Sequence, residues 1–204
     1  LKSCLVAIED VFAEQGLRLP VMISGTITDR SGRILSGQTL DAFYTSIAHA
    51  RPLSVGLNCG GGATQVRPYM VELASLADCH VSCYPNAGLP NTMGGYDESP
   101  ELTSRLIREM AEAGLLNIVG GCCGTTPDHV RAIAQAVAGL APRPLPEKRP
   151  NDALRLAGLD TLTVRSDSNF IMIGERTNVS GSKKFANLIK AGDYAAGLAI
   201  ALDQ

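Results

Sequence analysis

Three cysteines stand where apolar runs of the chain give way to glycines. Cys59 ends a run that begins at Leu53 and is followed by three glycines. The adjacent pair Cys122 and Cys123 ends a second run, which begins at Leu116. If both runs are strands of one parallel sheet, their carboxyl ends lie at the same edge and the three sulfurs emerge together. Three thiolates suit zinc and leave a fourth position for another ligand, so this pattern predicts a metal site.

The adjacent pair needs a turn of the backbone to act as two ligands. Cys122 and Cys123 would point to opposite faces of a regular strand. Gly120, Gly121 and Gly124 surround them and allow the chain to turn there. Two buried cysteines are the alternative, since free cysteine is often found in the core. The flanking glycines and the third thiol favour the metal site.

The remaining cysteines and two of the histidines are predicted to have other roles. Cys79 and Cys83 share one face of a strand, and Cys4 lies on the apolar face of the first helix, so we expect all three in the core. His80 lies inside a strand, and His129 lies one turn into a helix. Neither histidine is expected to be a metal ligand.

The bulk composition is that of an ordinary globular protein. The chain has 204 residues, 45% of them hydrophobic and 19% charged, with a net charge of −2. This balance of charges does not indicate binding to nucleic acid or to an anionic membrane. No apolar stretch approaches the roughly 20 residues of a membrane span. Without a secretory signal, six cysteines indicate metal binding in the cytoplasm rather than a disulfide framework.

Short apolar runs and amphipathic segments alternate along the chain. The runs predict strands near 20–24, 53–58, 80–84 and 116–120, and the 3.6-residue periodicity predicts helices near 1–16, 39–50, 66–77, 99–114 and from 126 onward. Such alternation is typical of a parallel sheet that is buried on both faces. A (β/α)8 barrel would place its active site at the carboxyl ends of these strands, and a doubly wound open sheet would produce the same pattern.

A proline-rich segment predicts a domain boundary. Residues 141–150 contain four prolines and three basic residues, which favours a stiff, extended spacer. We therefore divide the chain into a first domain at 1–140, a linker and connection at 141–169, and a second domain at 170–204. The apolar run at the start of the second domain predicts a strand, and a helix is expected to begin near Ser182.

Several motifs resemble the homocysteine-binding domain of the homocysteine methyltransferases. They are Gly-Leu-Asn-Cys at 56–59, Pro-Asn-Ala-Gly-Leu-Pro at 85–90 and Gly-Gly-Cys-Cys-Gly-Thr-Thr-Pro at 120–127. Within that group, 22–29 and 35–38 are similar to the cobalamin-dependent methionine synthases, and 174–181 resembles the start of their pterin domain. The glycines at 60–62 depart from the pattern, because a bulkier residue often follows the cysteine.

The resemblance implies an α/β fold made of parts of two barrels. Residues 1–140 would be about four C-terminal βα units of a (β/α)8 TIM barrel, and 170–204 the first βα unit of a second TIM-like barrel. Because Leu1 opens directly into a helical pattern, we expect the chain to belong to a longer protein. Four strands cannot close a barrel, so the strands near 20–24 and 116–120 are expected at open edges. We expect the isolated chain to associate and to be inactive.

The resemblance also implies a set of site residues. Zinc would be bound by Cys59, Cys122 and Cys123, with Asn86 as a displaceable fourth ligand. Homocysteine contacts are expected from Ser24, Gly25, Thr26 and Asn86. A pterin site is expected at Glu175, Arg176 and Asn178.

The implied reaction is methyl transfer to the zinc-bound thiolate of L-homocysteine, which forms methionine. Methylcobalamin, held by another module of the same polypeptide, would deliver the methyl group, and 5-methyltetrahydrofolate would replace it. Two alternatives stay open. A cobalamin-independent enzyme would take the methyl group from betaine or S-methylmethionine, but such enzymes have no pterin domain. A structural zinc module would normally have four Cys or His ligands.

Overall fold

The computed structural model describes residues 1–29, 31–147, 153–171 and 177–203. The chain forms two compact units, Leu1–Thr163 and Val164–Gln204. None of the helices within the described ranges combines the length and the apolar character that a membrane span requires.

The first unit alternates helices and strands as the sequence predicts. Its helices are α1 (Lys2–Gln15), α2 (Leu40–Ile47), α3 (Ala63–Leu76), α4 (Pro100–Glu112) and α5 (Pro127–Val137). Its main strands are β1 (Met22–Gly25), β2 (Ser54–Gly62), β3 (His80–Asn86) and β4 (Ile118–Val119). A short 3₁₀ helix, Ala48–Ala50, follows α2.

The four main strands form one parallel sheet in the order β1-β2-β3-β4. Ser54 of β2 pairs with Met22 on one side and with His80 on the other. Among the described residues, β1 and β4 therefore have a neighbour on one side only, which confirms the predicted edges. A parallel α/β sheet of this kind fits a partial TIM-like fold.

Local sequence explains where the helices begin and end. The Thr39 side chain accepts a hydrogen bond from the Ala42 N–H at the start of α2. Ser99 caps α4 in the same way, and Pro100 occupies its first turn. Gly16 ends α1 in a left-handed conformation with φ 64°. These boundaries agree with the predicted ones.

The core lies between the two central strands and the helices that cover them. Its largest fully buried side chains include Phe43, Leu57, Met70, Leu73, Ile107 and Met110. Cys83 is fully buried and Cys79 packs against the core, which confirms their predicted packing role. Burial raises the pKa of the Cys83 thiol to about 12.

The prediction of a core position for Cys4 is wrong. Cys4 is exposed, because α1 buries only Leu5. Val6 and Val11 on the same helix also face solvent. An apolar stripe shows which face a helix can bury, but a packing partner decides whether it does.

The start of the predicted spacer packs against the end of α3 and the segment before β4. The Arg143 N–H donates to the Leu116 carbonyl oxygen at 2.9 Å. Its buried guanidinium donates to the carbonyl oxygens of Ala74, Ala77 and Cys79 at 2.5–3.1 Å. The segment is extended, as predicted, but this part of it is anchored.

A two-stranded sheet that the sequence did not predict follows the spacer. Its strands are β5 (Leu154–Ala157) and β6 (Thr161–Val164). The turn between them holds the loop that joins β1 to α2. Gln38 donates to the Gly158 carbonyl oxygen at 3.0 Å, and Arg33 pairs with Asp160 at 3.1 Å. The compact units divide after Thr163, and the three-part domain division stays a prediction.

The described part of the second unit contains two helices, α6 (Lys183–Ala191) and α7 (Tyr194–Asp203). Ser182 caps α6 by accepting a hydrogen bond from the Phe185 N–H, which confirms the predicted helix start. Most of the strand predicted at 170–174 lies outside the described residues. The first βα unit of a second barrel therefore stays a prediction.

Candidate metal centre

A bulge at the end of β2 positions Cys59. Asn58 pairs with Tyr84 of β3 and Gly62 pairs with Asn86, so three residues of β2 stand opposite one residue of β3. Bulges of this kind redirect a side chain at the end of a strand. The prediction ended the strand before Cys59, whereas β2 continues through the bulge to Gly62.

The bulge requires glycine directly after the cysteine. Gly60 has φ 73°, and a Cβ atom there would lie 2.5 Å from the Ile27 carbonyl oxygen. Any side chain at this position would therefore push the loop after β1 away from β2. The close approach of two backbones explains why glycine, and not a bulkier residue, follows Cys59.

Three hydrogen bonds hold the Cys122–Cys123 pair against the end of β3. The Cys122 N–H donates to the Pro85 carbonyl oxygen, and the Ala87 N–H donates to the Cys123 carbonyl oxygen, both at 2.9 Å. The Cys123 N–H donates to Asn86 Oδ1 at 3.1 Å. The chain turns after the pair at Gly124, whose φ is 77°.

The three sulfur atoms converge, as the sequence predicted. Cys59 Sγ lies 2.7 Å from Cys122 Sγ and 3.5 Å from Cys123 Sγ, and the last two are 4.0 Å apart. Zinc–sulfur bonds of about 2.3 Å in a tetrahedral site separate the sulfurs by roughly 3.8 Å. Two of the three separations are close to that value and the third is shorter. The cluster therefore fits a metal ion with three thiolate ligands.

The two half-buried thiols have opposite pKa shifts. Hydrogen bonding to Cys122, aided by burial, raises the pKa of Cys59 to about 11. Burial opposes ionisation of Cys122 as well, but the hydrogen bonds from Cys59 and Asn58 outweigh it, and the Cys122 pKa is lowered.

Asn58 is a site residue that the sequence analysis missed. Its Nδ2 lies 3.9 Å from Cys122 Sγ, and its Oδ1 accepts a hydrogen bond from Ser24 Oγ at 2.7 Å. A polar residue that ends an apolar strand directly before a ligand was the signal that could have identified it.

Tyr96 is a second missed residue and comes from the loop between β3 and α4. Its Cβ would lie 2.3 Å from a Cβ added at Gly124, so the ring packs directly on the turn after the cysteine pair. Desolvation, aided by the neighbouring Cys123 sulfur, raises the pKa of its phenol. Asn91 shapes this loop by accepting hydrogen bonds from the Met93 and Gly95 N–H groups.

The histidines take no part in the cluster. In the described part of the chain, Cys59, Cys122 and Cys123 are the one group of three or more potential ligands whose donor atoms converge. His129 Nδ1 accepts a hydrogen bond from the Thr126 N–H at the start of α5, so its Nε2 donates to the Glu98 carbonyl oxygen at 2.8 Å. His129 is thus a buried capping residue.

Comparison with known protein families identifies the first unit. The model of the family described as homocysteine S-methyltransferase matches residues 2–137, more than half of the chain. This chain belongs to that family.

Two solved structures of the homocysteine methyltransferase MmuM from Escherichia coli are similar to the chain. The oxidized form is 19% identical with a TM-score of 0.46, over 64% of this chain and 40% of that one. The apo form is 21% identical with a TM-score of 0.48, over 67% of this chain and 46% of that one. The chain therefore spans less than half the length of either structure.

The residues expected to contact homocysteine lie at the same edge of the sheet. Ser24 and Gly25 end β1, with Thr26 directly after them, and Ser24 Oγ is engaged by Asn58. Asn86 is buried at the end of β3, where its Oδ1 accepts the Cys123 N–H. The contacts of these residues with substrate stay predictions. The role of Asn86 as a metal ligand also stays a prediction.

The expected pterin residues lie largely outside the described residues. This applies to Glu175 and Arg176, whereas Asn178 is described. Asn178 Oδ1 accepts a hydrogen bond from the Ser180 N–H, and its carbonyl oxygen accepts one from the Ser182 N–H. Asn178 thus shapes the turn before α6, and its pterin contact stays a prediction.

Proposed function

We propose that this chain carries the metal site of an enzyme that transfers a methyl group to the sulfur of L-homocysteine. The convergence of Cys59, Cys122 and Cys123 at the carboxyl edge of the parallel sheet carries this proposal. In the described part of the chain, no histidine, carboxylate or fourth cysteine joins the three. A structural zinc site would normally be closed by four such ligands, so an open site favours catalysis.

The donor set fits zinc. When bound by the three cysteines, zinc would hold the substrate's sulfur as a thiolate and keep it nucleophilic at neutral pH. The protein positions this chemistry through the β2 bulge, which carries Cys59, and through the hydrogen bonds from the end of β3 to the cysteine pair. Cys123 is exposed while Cys59 and Cys122 are half-buried, so we infer that substrate approaches from the Cys123 side.

We further propose that methylcobalamin is the methyl donor and that 5-methyltetrahydrofolate is the ultimate source. The motifs at 22–29 and 174–181 support this choice. The chain also continues beyond residue 137, where the family match ends, into a second compact unit. In this proposal Glu175, Arg176 and Asn178 contact the pterin, and a cobalamin-binding module of the same polypeptide supplies the donor.

Assays with different methyl donors distinguish a cobalamin-dependent enzyme from one that uses S-methylmethionine or betaine. The full polypeptide of this proposal, which includes the cobalamin-binding module, is loaded with zinc and incubated with homocysteine. Methylcobalamin, S-methylmethionine or betaine is added in turn, and methionine is quantified by mass spectrometry. We expect methionine from methylcobalamin alone, and none from the Cys123→Ala variant. Methionine from either of the other donors would contradict the cobalamin assignment. A zinc-loaded protein that is silent with every donor would contradict methyl transfer itself.

A further inference from the structure

Asn58 connects the first strand of the sheet to the cysteine pair. Ser24, on the edge strand β1, donates its hydroxyl to Asn58 Oδ1 at 2.7 Å. Asn58 Nδ2 lies 3.9 Å from Cys122 Sγ, which is on the side of β2 away from β1. The amide therefore spans the space between the outermost strand and a ligand that is anchored on β3.

The two contacts fix which way the amide faces. A carboxamide has an acceptor end and a donor end, and a thiolate can only accept. With Ser24 at the oxygen, the N–H group is directed at the sulfur and both ends of the amide are satisfied. The backbone of Asn58 is also held, because it pairs with Tyr84 immediately before the bulge.

We propose that Asn58 is a positioning residue of the metal centre, which acts through Cys122 and is oriented by Ser24. This inference rests on the proposed function. Hydrogen bonds to the ligands of a metal orient those ligands and adjust how strongly they donate to it. An N–H group directed at a thiolate draws electron density from the sulfur. The Cys122 thiolate then donates less charge, which leaves the metal a better acceptor for the sulfur of the substrate.

The proposal changes the expected role of Ser24. Its hydroxyl is engaged by Asn58, so its effect on the reaction passes through the amide and Cys122. A Ser24→Ala change should therefore alter the charge on the Cys122 sulfur in the same direction as a change at Asn58, but by less. Replacement of a residue that only contacts substrate would leave the charge on the metal's sulfur ligands unchanged in the substrate-free protein.

The test uses the metal-loaded protein without substrate. Asn58→Asp keeps the size of the side chain but removes the N–H donor, and Asn58→Ala removes the whole amide. Ser24→Ala keeps the amide and removes only the hydroxyl that orients it. Cobalt(II) replaces zinc, because its thiolate charge-transfer band reports the charge on the sulfurs. Competition with a chelator measures how tightly zinc is held, and thermal unfolding of the metal-free proteins monitors folding.

We expect the band to move to longer wavelength in both Asn58 variants, because the sulfur then carries more charge. Zinc affinity should fall about 10- to 100-fold, because Cys122 is no longer held in the orientation that binds the metal. Ser24→Ala should produce a smaller shift in the same direction, with the unfolding temperature of the metal-free proteins unchanged. An unchanged band and zinc affinity in Asn58→Asp would overturn the inference and leave the proposed function standing. Failure of the unaltered protein to bind zinc would overturn both.

Discussion

At the scale of single residues, the backbone of Cys59 is the most unusual feature of the site. Its φ is 57°, a left-handed conformation that residues with a side chain rarely adopt. Such conformations raise the free energy by about 1–3 kcal/mol and cluster at functional sites. Here the conformation follows from the bulge, which turns the sulfur toward Cys122.

Replacement of Cys59 should separate backbone strain from metal binding. Both Cys59→Gly and Cys59→Ala remove the ligand, but only glycine relieves the strain. We expect metal-free Cys59→Gly to unfold with a free energy about 1 kcal/mol higher than that of Cys59→Ala. Denaturant unfolding measures the difference, and equal stabilities would show that the left-handed conformation carries no strain.

Asn86 offers a second test at this scale. Asn86→Ala leaves the Cys123 N–H without its acceptor and removes the predicted fourth ligand, so we expect about tenfold weaker zinc binding. Asn86→Asp keeps an acceptor oxygen and should bind zinc almost as well as the unaltered protein. Chelator competition provides the comparison. Full zinc affinity in Asn86→Ala would show that neither the hydrogen bond from the Cys123 N–H nor coordination by Asn86 contributes to zinc binding.

At the scale of secondary structure elements, Arg143 anchors the spacer to the carboxyl end of α3. Its guanidinium lies at the carboxyl end of α3 and satisfies carbonyl oxygens that would otherwise be unpaired. A cation at this end of a helix is also favoured by the helix dipole. Burial lowers the pKa of Arg143, but the side chain stays charged because its ordinary value is so high.

Loss of this anchor should destabilise the protein strongly. Arg143→Ala leaves several carbonyl oxygens unpaired in a buried site, and we expect a loss of about 3 kcal/mol in the free energy of unfolding. Arg108→Ala is the matched control, because Arg108 forms an exposed ion pair with Glu112. That change should cost about 0.5 kcal/mol or less. Similar losses in the two variants, measured by urea unfolding, would contradict the anchoring role.

The elements that follow a strong periodic pattern were predictable. The runs of β2 and β3 are buried on both faces, and Gly16, Thr39 and Ser99 mark helix ends by their own chemistry. Strands β5 and β6 were missed because both lie in a segment that was interpreted as a linker and connection. Their stability depends on contacts with the loop at 33–41, which no local pattern reveals.

The site was predictable to the same extent. Parallel strands bring their carboxyl ends to one edge, so the convergence of Cys59 with the cysteine pair followed from the topology. The roles of Asn58 and Tyr96 depend on the bulge and on the fold of a loop. These are tertiary features, and residue types alone do not specify them.

At the scale of the whole molecule, the unpaired sheet edges have a consequence for association. Among the described residues, β1 and β4 have a neighbouring strand on one side only, so their other sides are able to pair with another chain. We expect the 204-residue chain to self-associate, as sedimentation velocity over a range of concentrations would show.

A charge on the edge provides the control. Met22 of β1 is 51% exposed, and Met22→Lys should weaken association because charged side chains protect sheet edges. Val71→Lys, on the exposed surface of α3, should leave it unchanged. A chain that stays monomeric at all concentrations would be at odds with open edges.

The measurement that most directly tests the central claim is X-ray absorption at the zinc edge of the metal-loaded protein. We predict three sulfur neighbours at about 2.3 Å and one lighter ligand. Four sulfurs should appear after homocysteine is added. Cys122→Ala should lose a sulfur or lose the metal, whereas Cys4→Ser, at an exposed site in α1, should leave the spectrum unchanged. Zinc held mainly by nitrogen or oxygen, or at full occupancy with an unchanged spectrum in Cys122→Ala, would contradict the three-cysteine site.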